Sequence, residues 1–258
     1  MRWLKVHAAG LVLICVLAGA SQAQAQTEVD LALVIAVDVS YSMDPDEQRL
    51  QREGYAEAFR DPQVHQAIRD GVAGRIAAAY MEWSGASDQW IVLPWTVLDD
   101  PESILAFADQ ISRVPLRRAQ STSISGAIDR ASRLIEDSGL AAARRVIDIS
   151  GDGSNNDGRP VTAARDEAIA RGIVVNGLPI MLKPPSYEYF TRDLEPYYRD
   201  CVIGGPGSFL VPARERAQFQ EAIRLKILRE VSGAPGPLVQ PAQVAEPRAD
   251  CAAGRFGN

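Results

Sequence analysis

The sequence predicts an α/β domain of the doubly wound kind: a mostly parallel central sheet with one antiparallel edge strand, and helices on both faces. Three observations predict it. Residues 31–37 form a continuous apolar run, the pattern of a strand buried on both faces of a sheet under helices. Strand-like and helix-like segments alternate through most of the chain. Early in that alternation two strand-like segments, residues 75–83 and 89–96, are joined by a short polar link at 84–88, which suits a hairpin and makes one strand antiparallel.

The elements follow in order. After the first strand, Asp44-Pro45-Asp46-Glu47 reads as an N-cap, a proline at the first helical position and a glutamate placed for a capping box. The helix so opened runs to about Phe59. Asp61-Pro62 and Asp100-Pro101 repeat the start signal before two further helical stretches. Ile124, Ala127, Ile128, Ala131, Leu134 and Ile135 recur at helical spacing, giving an amphipathic helix to about Asp137. A strand at 145–150, a helix at 160–171 closed by Gly172, and a strand at 173–180 come next. Then come a polar-aromatic stretch at 187–198, a short strand near 208–211, and a helix from about Arg214 to Val231. From Ser232 the Pro- and Gly-containing polar sequence reads as a flexible tail. Residues 28–232 are expected to be one domain and 233–258 its tail.

Residues 1–25 read as a secretory signal peptide, with Arg2 and Lys5 ahead of a short apolar run and an Ala23-Gln24-Ala25 cleavage site. The run is broken by Gly19, Ser21 and Gln22, too soon for the roughly 20 residues that a spanning helix needs. A periplasmic or secreted protein without a membrane anchor is therefore expected. Loss of Arg2 and Lys5 with the leader takes the net charge from −6 to −8. An acidic chain of this kind opposes nucleic acid or an anionic membrane as partner, since both need a basic face. Cys201 and Cys251 remain after cleavage. They either form one disulfide, tying the tail to the domain, or stay separate thiols, and the sequence leaves both open.

Ligands of open α/β sheets bind at the carboxyl ends of the strands, so the residues just past each strand carry the information. After the first strand stands Asp38-Val39-Ser40-Tyr41-Ser42, a carboxylate and two hydroxyls that can converge in a strand-to-helix turn. Before the amphipathic helix stands Ser121-Thr122-Ser123, a hydroxyl at a helix start. After the strand at 145–150 stands Gly151-Asp152-Gly153, a second carboxylate between glycines that admit close approach. Two carboxylates with three hydroxyls are an all-oxygen set, which suits Mg²⁺, with Mn²⁺ or Ca²⁺ as alternatives.

These three segments, Asp-x-Ser-x-Ser, Thr-x4-Ala-Ile and Ser-Gly-Asp-Gly, resemble the metal-ion-dependent adhesion site (MIDAS) of von Willebrand factor A (VWA) domains. The resemblance spans about Val29 to Val231. It implies a VWA/Rossmann-like fold, direct metal ligation by Ser40 and Ser42, and ligation by Asp38, Thr122 and Asp152 either directly or through water. Thr122 takes that role by its spacing to Ala127-Ile128, with Ser121 and Ser123 as alternatives. Such a site leaves the ion unsatisfied, so a carboxylate on a protein partner is expected to complete its shell, the protein itself being a monomer. Tyr41 departs from the family pattern, which often has glycine between the two serines. More narrowly, the stretches Thr-Ser-Ile-Ser-Gly-Ala-Ile, Arg-Arg-Val-Ile-Asp-Ile-Ser-Gly-Asp-Gly and Asn-Gly-Leu-Pro-Ile resemble a bacterial exported VWA family of unknown function.

Other chemistry finds less support. After loss of the leader His65 is the one histidine, in a helical stretch, and no Gly-x-Ser-x-Gly, phosphate-loop or His-Glu-x-x-His motif is present. A binding module rather than an enzyme is expected; a metal-dependent hydrolase at the same site, or a scaffold without a working metal site, are the alternatives. The loop at 152–158 fails the EF-hand pattern and reads as a polar loop beside the site. Trp83, Trp90 and Trp95 are expected to pack in the core or at the sheet edge. Tyr187, Tyr189, Tyr197 and Tyr198 serve either recognition or packing.

Overall fold

A computed structural model describes residues 26–183, 194–233 and 248–252. The leader, Tyr187 and Tyr189, and most of the tail lie outside the described residues. β1 (Thr27–Asp38), β2 (Ile76–Trp83), β3 (Gln89–Leu98), β4 (Leu140–Gly151) and β5 (Val174–Pro179) form one sheet in the order β3-β2-β1-β4-β5. All neighbours are parallel except β2 and β3, so the antiparallel strand is the edge strand the hairpin predicts.

The apolar run of β1 feeds two cores. Leu31, Leu33, Ile35 and Val37 face α1 (Pro45–Arg60), α2 (Pro62–Arg69), α3 (Pro101–Arg113) and α7 (Phe219–Ser232). Val34 and Ala36 face α4 (Ile124–Glu136) and α5 (Val161–Ala170). The helix starts follow their sequence signals. Asp44 accepts hydrogen bonds from the Asp46 and Glu47 amides, and Glu47 accepts from the Asp44 amide, closing a capping box. Asp100 and Ser103 close another on α3. Inside α1, Gly54 permits a close approach of α7, since a Cβ there would stand 2.5 Å from Ile223 Cδ1.

Two segments depart from expectation. The polar-aromatic stretch ends in helix, α6 (Leu194–Tyr197) followed by a π-turn (Tyr198–Val202), with Tyr197 and Tyr198 fully buried. α7 begins at Phe219 after a 3-10 turn (Arg216–Gln218), not near Arg214. The reason is that residues 209–213 are held extended beside β5: the Gly177 amide donates to Phe209 O and the Ala213 amide to Pro179 O. Trp83 is buried in the core, while Trp90 and Trp95 are half-buried, Trp90 under the Arg117 guanidinium. His65 is bonded through Nε2 to Phe59 O.

Cys201 and Cys251 form a disulfide, with Cα atoms 5.4 Å apart. It pins residues 248–252 against the π-turn, and the Ala249 amide donates to Asp200 Oδ2. The bridge spans a sequence separation of 50 residues. Cys201→Ala with Cys251→Ala is expected to cost about 2–4 kcal/mol through the freed unfolded chain, read as a lower denaturant midpoint.

Candidate functional site

In the strand order β3-β2-β1-β4-β5 the chain turns from one side of the sheet to the other between β1 and β4, and that switch point opens a crevice at their carboxyl ends. Asp38 ends β1, and Asp152 follows β4. The intervening residue, Gly151, has no room for a side chain: a Cβ would stand 2.8 Å from Asp38 Oδ2.

The first loop folds on its own carboxylate. The Ser40 amide donates to Asp38 Oδ1 at 2.7 Å, the Ser40 and Ser42 hydroxyls lie 2.8 Å apart, and Ser42 Oγ donates to Asp152 Oδ1 at 2.5 Å. Four of the five expected residues are thus joined through a chain of contacts. Thr122 is not part of that chain of contacts; its Oγ1 lies 3.6 Å from where a Cβ on Gly153, the residue after Asp152, would stand. Its neighbours are otherwise engaged. Ser123 is the N-cap of α4, its Oγ accepting from the Gly126 amide and donating to Asp157 O. Ser121 holds a left-handed φ of 68°, which costs a non-glycine residue about 1–3 kcal/mol.

Two carboxyl oxygens, Asp38 Oδ2 and Asp152 Oδ2, are buried without a hydrogen-bond partner among the described residues. Burial pushes the Asp38 carboxyl up to about 8, aided by the negative charge of Asp152. Asp152 is pushed up to about 6 by burial, against the pull of the Ser42 hydroxyl and the Lys183 ammonium. Two desolvated carboxyls that face each other with lone pairs unused are a place where a cation is favoured. Among the described residues no group of three or more His, Cys, Asp or Glu side chains is placed to hold a metal ion, so an ion here would rest on two carboxylates and hydroxyls.

The sequence reading missed the supports of this site. Asn156 clamps the Thr122 backbone, its Oδ1 accepting from the Thr122 amide at 2.8 Å while its own amide donates to Thr122 O. Asn155 Oδ1 accepts from the Ser125 amide, and the Asn155 amide donates to Tyr197 OH. The loop at 152–158 is therefore the polar loop expected, and its work is to hold the start of α4. Tyr197 and Tyr198 pack beneath it, Tyr198 OH donating to Gly151 O at 3.4 Å. Lys183 Nζ bonds Ser42 O and Glu47 Oε2, and lies 3.9 Å from Asp152 Oδ2. At the mouth, Tyr41 is exposed, with the Arg118 guanidinium 5.1 Å from its ring centre and bonded to its carbonyl.

The fold is that of VWA domains. Solved structures that share it include a von Willebrand factor type A protein from Catenulispora acidiphila, at 17% identity and a TM-score of 0.57 over 79% of this chain and 43% of that one. Proximal thread matrix protein 1 from the mussel byssus matches at 12% identity and 0.58 over 80% and 49%. The pilus adhesin SpaC from Lactobacillus rhamnosus GG, in its open conformation, matches at 14% and 0.56 over 81% and 30%. The mussel protein has also been solved with a zinc-occupied MIDAS motif. This chain spans half or less of the length of each of these proteins. No curated protein matches the sequence. The chain belongs to the DUF1194 family of proteins of unknown function, whose model matches residues 28–235.

Proposed function

We propose that the protein is an exported binding module that engages an acidic group of a protein partner through a Mg²⁺-type ion, and that it is not an enzyme. The observation that carries this reading is the pair of buried, unsatisfied oxygens of Asp38 and Asp152, joined through Ser40 and Ser42 at the sheet's switch point. Ser40, Ser42, Asp38, Asp152 and Thr122 would hold the ion, directly or through water. Oxygen donors of this number and low charge suit Mg²⁺, with Mn²⁺ or Ca²⁺ as alternatives, and leave positive charge for a carboxylate from outside. Tyr41 and Arg118 at the rim would add an aromatic face and a guanidinium, which suits an acidic ligand. The Cys201–Cys251 disulfide supports an oxidising compartment. Among the described residues no helix is long and apolar enough to cross a membrane.

The test is a pull-down from bacterial envelope extract with Mg²⁺ and with chelator. The reading expects a partner retained only with the metal. Arg118→Ala is expected to lose about tenfold or more in partner affinity while metal binding stays unchanged, as measured by titration calorimetry. Retention unaffected by chelator would refute the metal-dependent mode.

Lys183 favours a second reading, in which its ammonium, close to Asp152 and bonded to Glu47, serves as the site's own cation. In that case the wild type shows no thermal shift with Mg²⁺, and Lys183→Ala gains one. Under the first reading Lys183→Ala tightens Mg²⁺ by a few-fold to about tenfold, since a half-exposed positive charge near the ion is removed.

A further inference from the structure

Away from the crevice, under α7, lies a second cluster of ionisable groups that the binding function does not use. Lys226 and Asp148 have no exposed surface, and Glu230 is 1% exposed. Lys226 Nζ stands 2.8 Å from Asp148 Oδ1 and 2.7 Å from Glu230 Oε1. Each carboxyl is held from its far side: Tyr55 OH donates to Asp148 Oδ2 at 3.4 Å, and Asn176 Nδ2 donates to Glu230 Oε2 at 2.8 Å. The Phe209 ring closes the site, its centre 4.9 Å from Nζ.

An ordinary ion pair explains this cluster poorly. Two carboxylates share one ammonium, and all three charges are out of water, an arrangement whose desolvation cost is seldom recovered. The Nζ contact with Asp148 is close, yet among the described residues Oδ1 has no hydrogen bond of normal geometry. A lysine amine in direct contact with an aspartyl carboxyl, with a second carboxyl on the same nitrogen, is instead the arrangement that amide formation requires.

We propose that Lys226 and Asp148 are joined by an intramolecular isopeptide bond formed with the help of Glu230. Nζ first passes a proton to the Asp148 carboxylate, giving a neutral amine and a neutral acid. Its lone pair then adds to Asp148 Cγ. Glu230 takes the second proton from Nζ as the C–N bond forms, and returns it to the departing hydroxyl as the C–O bond breaks. One water leaves, Glu230 is regenerated, and no oxidant or cofactor is consumed. Burial pushes the Asp148 carboxyl up, towards the neutral acid to which the amine adds. The product exchanges a buried ion pair for a neutral amide and stitches α7 to β4, the strand that leads into Asp152.

Mass spectrometry of the purified full chain tests this. The expected result is a mass lower by one water than the disulfide-bonded sequence requires. After trypsin, residues 225–229, uncut at Lys226, should be joined to residues 146–165. Lys226→Arg supplies the unlinked reference mass. Glu230→Gln keeps both partners of the bond, and with a native circular dichroism spectrum it is expected to show the full mass or a cross-link formed at least tenfold more slowly. A wild type at full mass, cleaved after Lys226, overturns the proposal and leaves an ion pair. A cross-link formed in Glu230→Gln at the wild-type rate overturns the role of Glu230.

Discussion

Mg²⁺ at about a hundredfold above its Kd is expected to stabilise the protein by about 2.7 kcal/mol, a rise in Tm of about 5–10 °C, and Asp38→Ala or Asp152→Ala is expected to abolish that rise. Asp38 is fully buried and Asp152 nearly so, and each keeps one oxygen without a hydrogen bond among the described residues. Removing either carboxylate removes half of the site's charge. It also relieves the repulsion between them, so the metal-free variants are expected to melt no lower than the metal-free wild type. The pH dependence has a definite sign. Both folded-state pKa values lie above the ordinary carboxylate value, at about 8 and about 6. Their contribution to metal-free stability is therefore fully present in acid, below the unfolded pKa, and is lost as pH rises through those values. Metal binding needs the deprotonated forms and strengthens over the same window. Melting curves with and without Mg²⁺ should coincide near pH 5 and separate towards pH 8. Coincident curves at every pH would remove the metal from the reading.

Measured against the unlinked, ion-paired chain, Lys226→Met is expected to cost about 3–5 kcal/mol, because it leaves Asp148 and Glu230 buried with no positive charge between them. Both carboxyls are already pushed up by burial, and without the ammonium the folded state must bind protons to exist. The deficit should be smallest in acid and grow as pH rises towards neutrality. The triple variant with Asp148→Asn and Glu230→Gln is expected to recover much of the loss, since no uncompensated charge remains. Denaturant midpoints at two pH values measure both effects.

The two clusters also show what a sequence yields and what it withholds. Residues 31–37 announce a central strand because a two-sided position admits few polar side chains, and Asp-Pro starts announce α1, α2 and α3 because capping is local chemistry. That Asp38, Ser40, Ser42 and Asp152 come together was legible because their order along the chain is the order of strand ends. Lys226 and Glu230 were not. At a spacing of four on a helix they read like a solvent-facing pair, and only the packing of α7 on the sheet puts them inside. Tyr197 and Tyr198 gave no periodic signal, because four residues of helix and a π-turn are too short to show one. Asn155 and Asn156 looked like ordinary turn residues, and their task depends on the start of α4, 30 and 34 positions away. Lys183 follows a strand without a motif, and its proximity to Glu47 is purely tertiary.

The two margins of the sheet carry a consequence for how this molecule coexists with others. Beyond β5, residues 204–213 run alongside in short, interrupted pairing. At the opposite margin β3 contains Pro94, which lacks an amide to donate, and its register against β2 slips twice, near Ala78 and Tyr80. Neither border offers a long, straight template on which a foreign strand could continue the sheet. Growth into fibrils by strand addition is thereby discouraged even at high local concentration, and encounters with other proteins are left to side chains at the loop end.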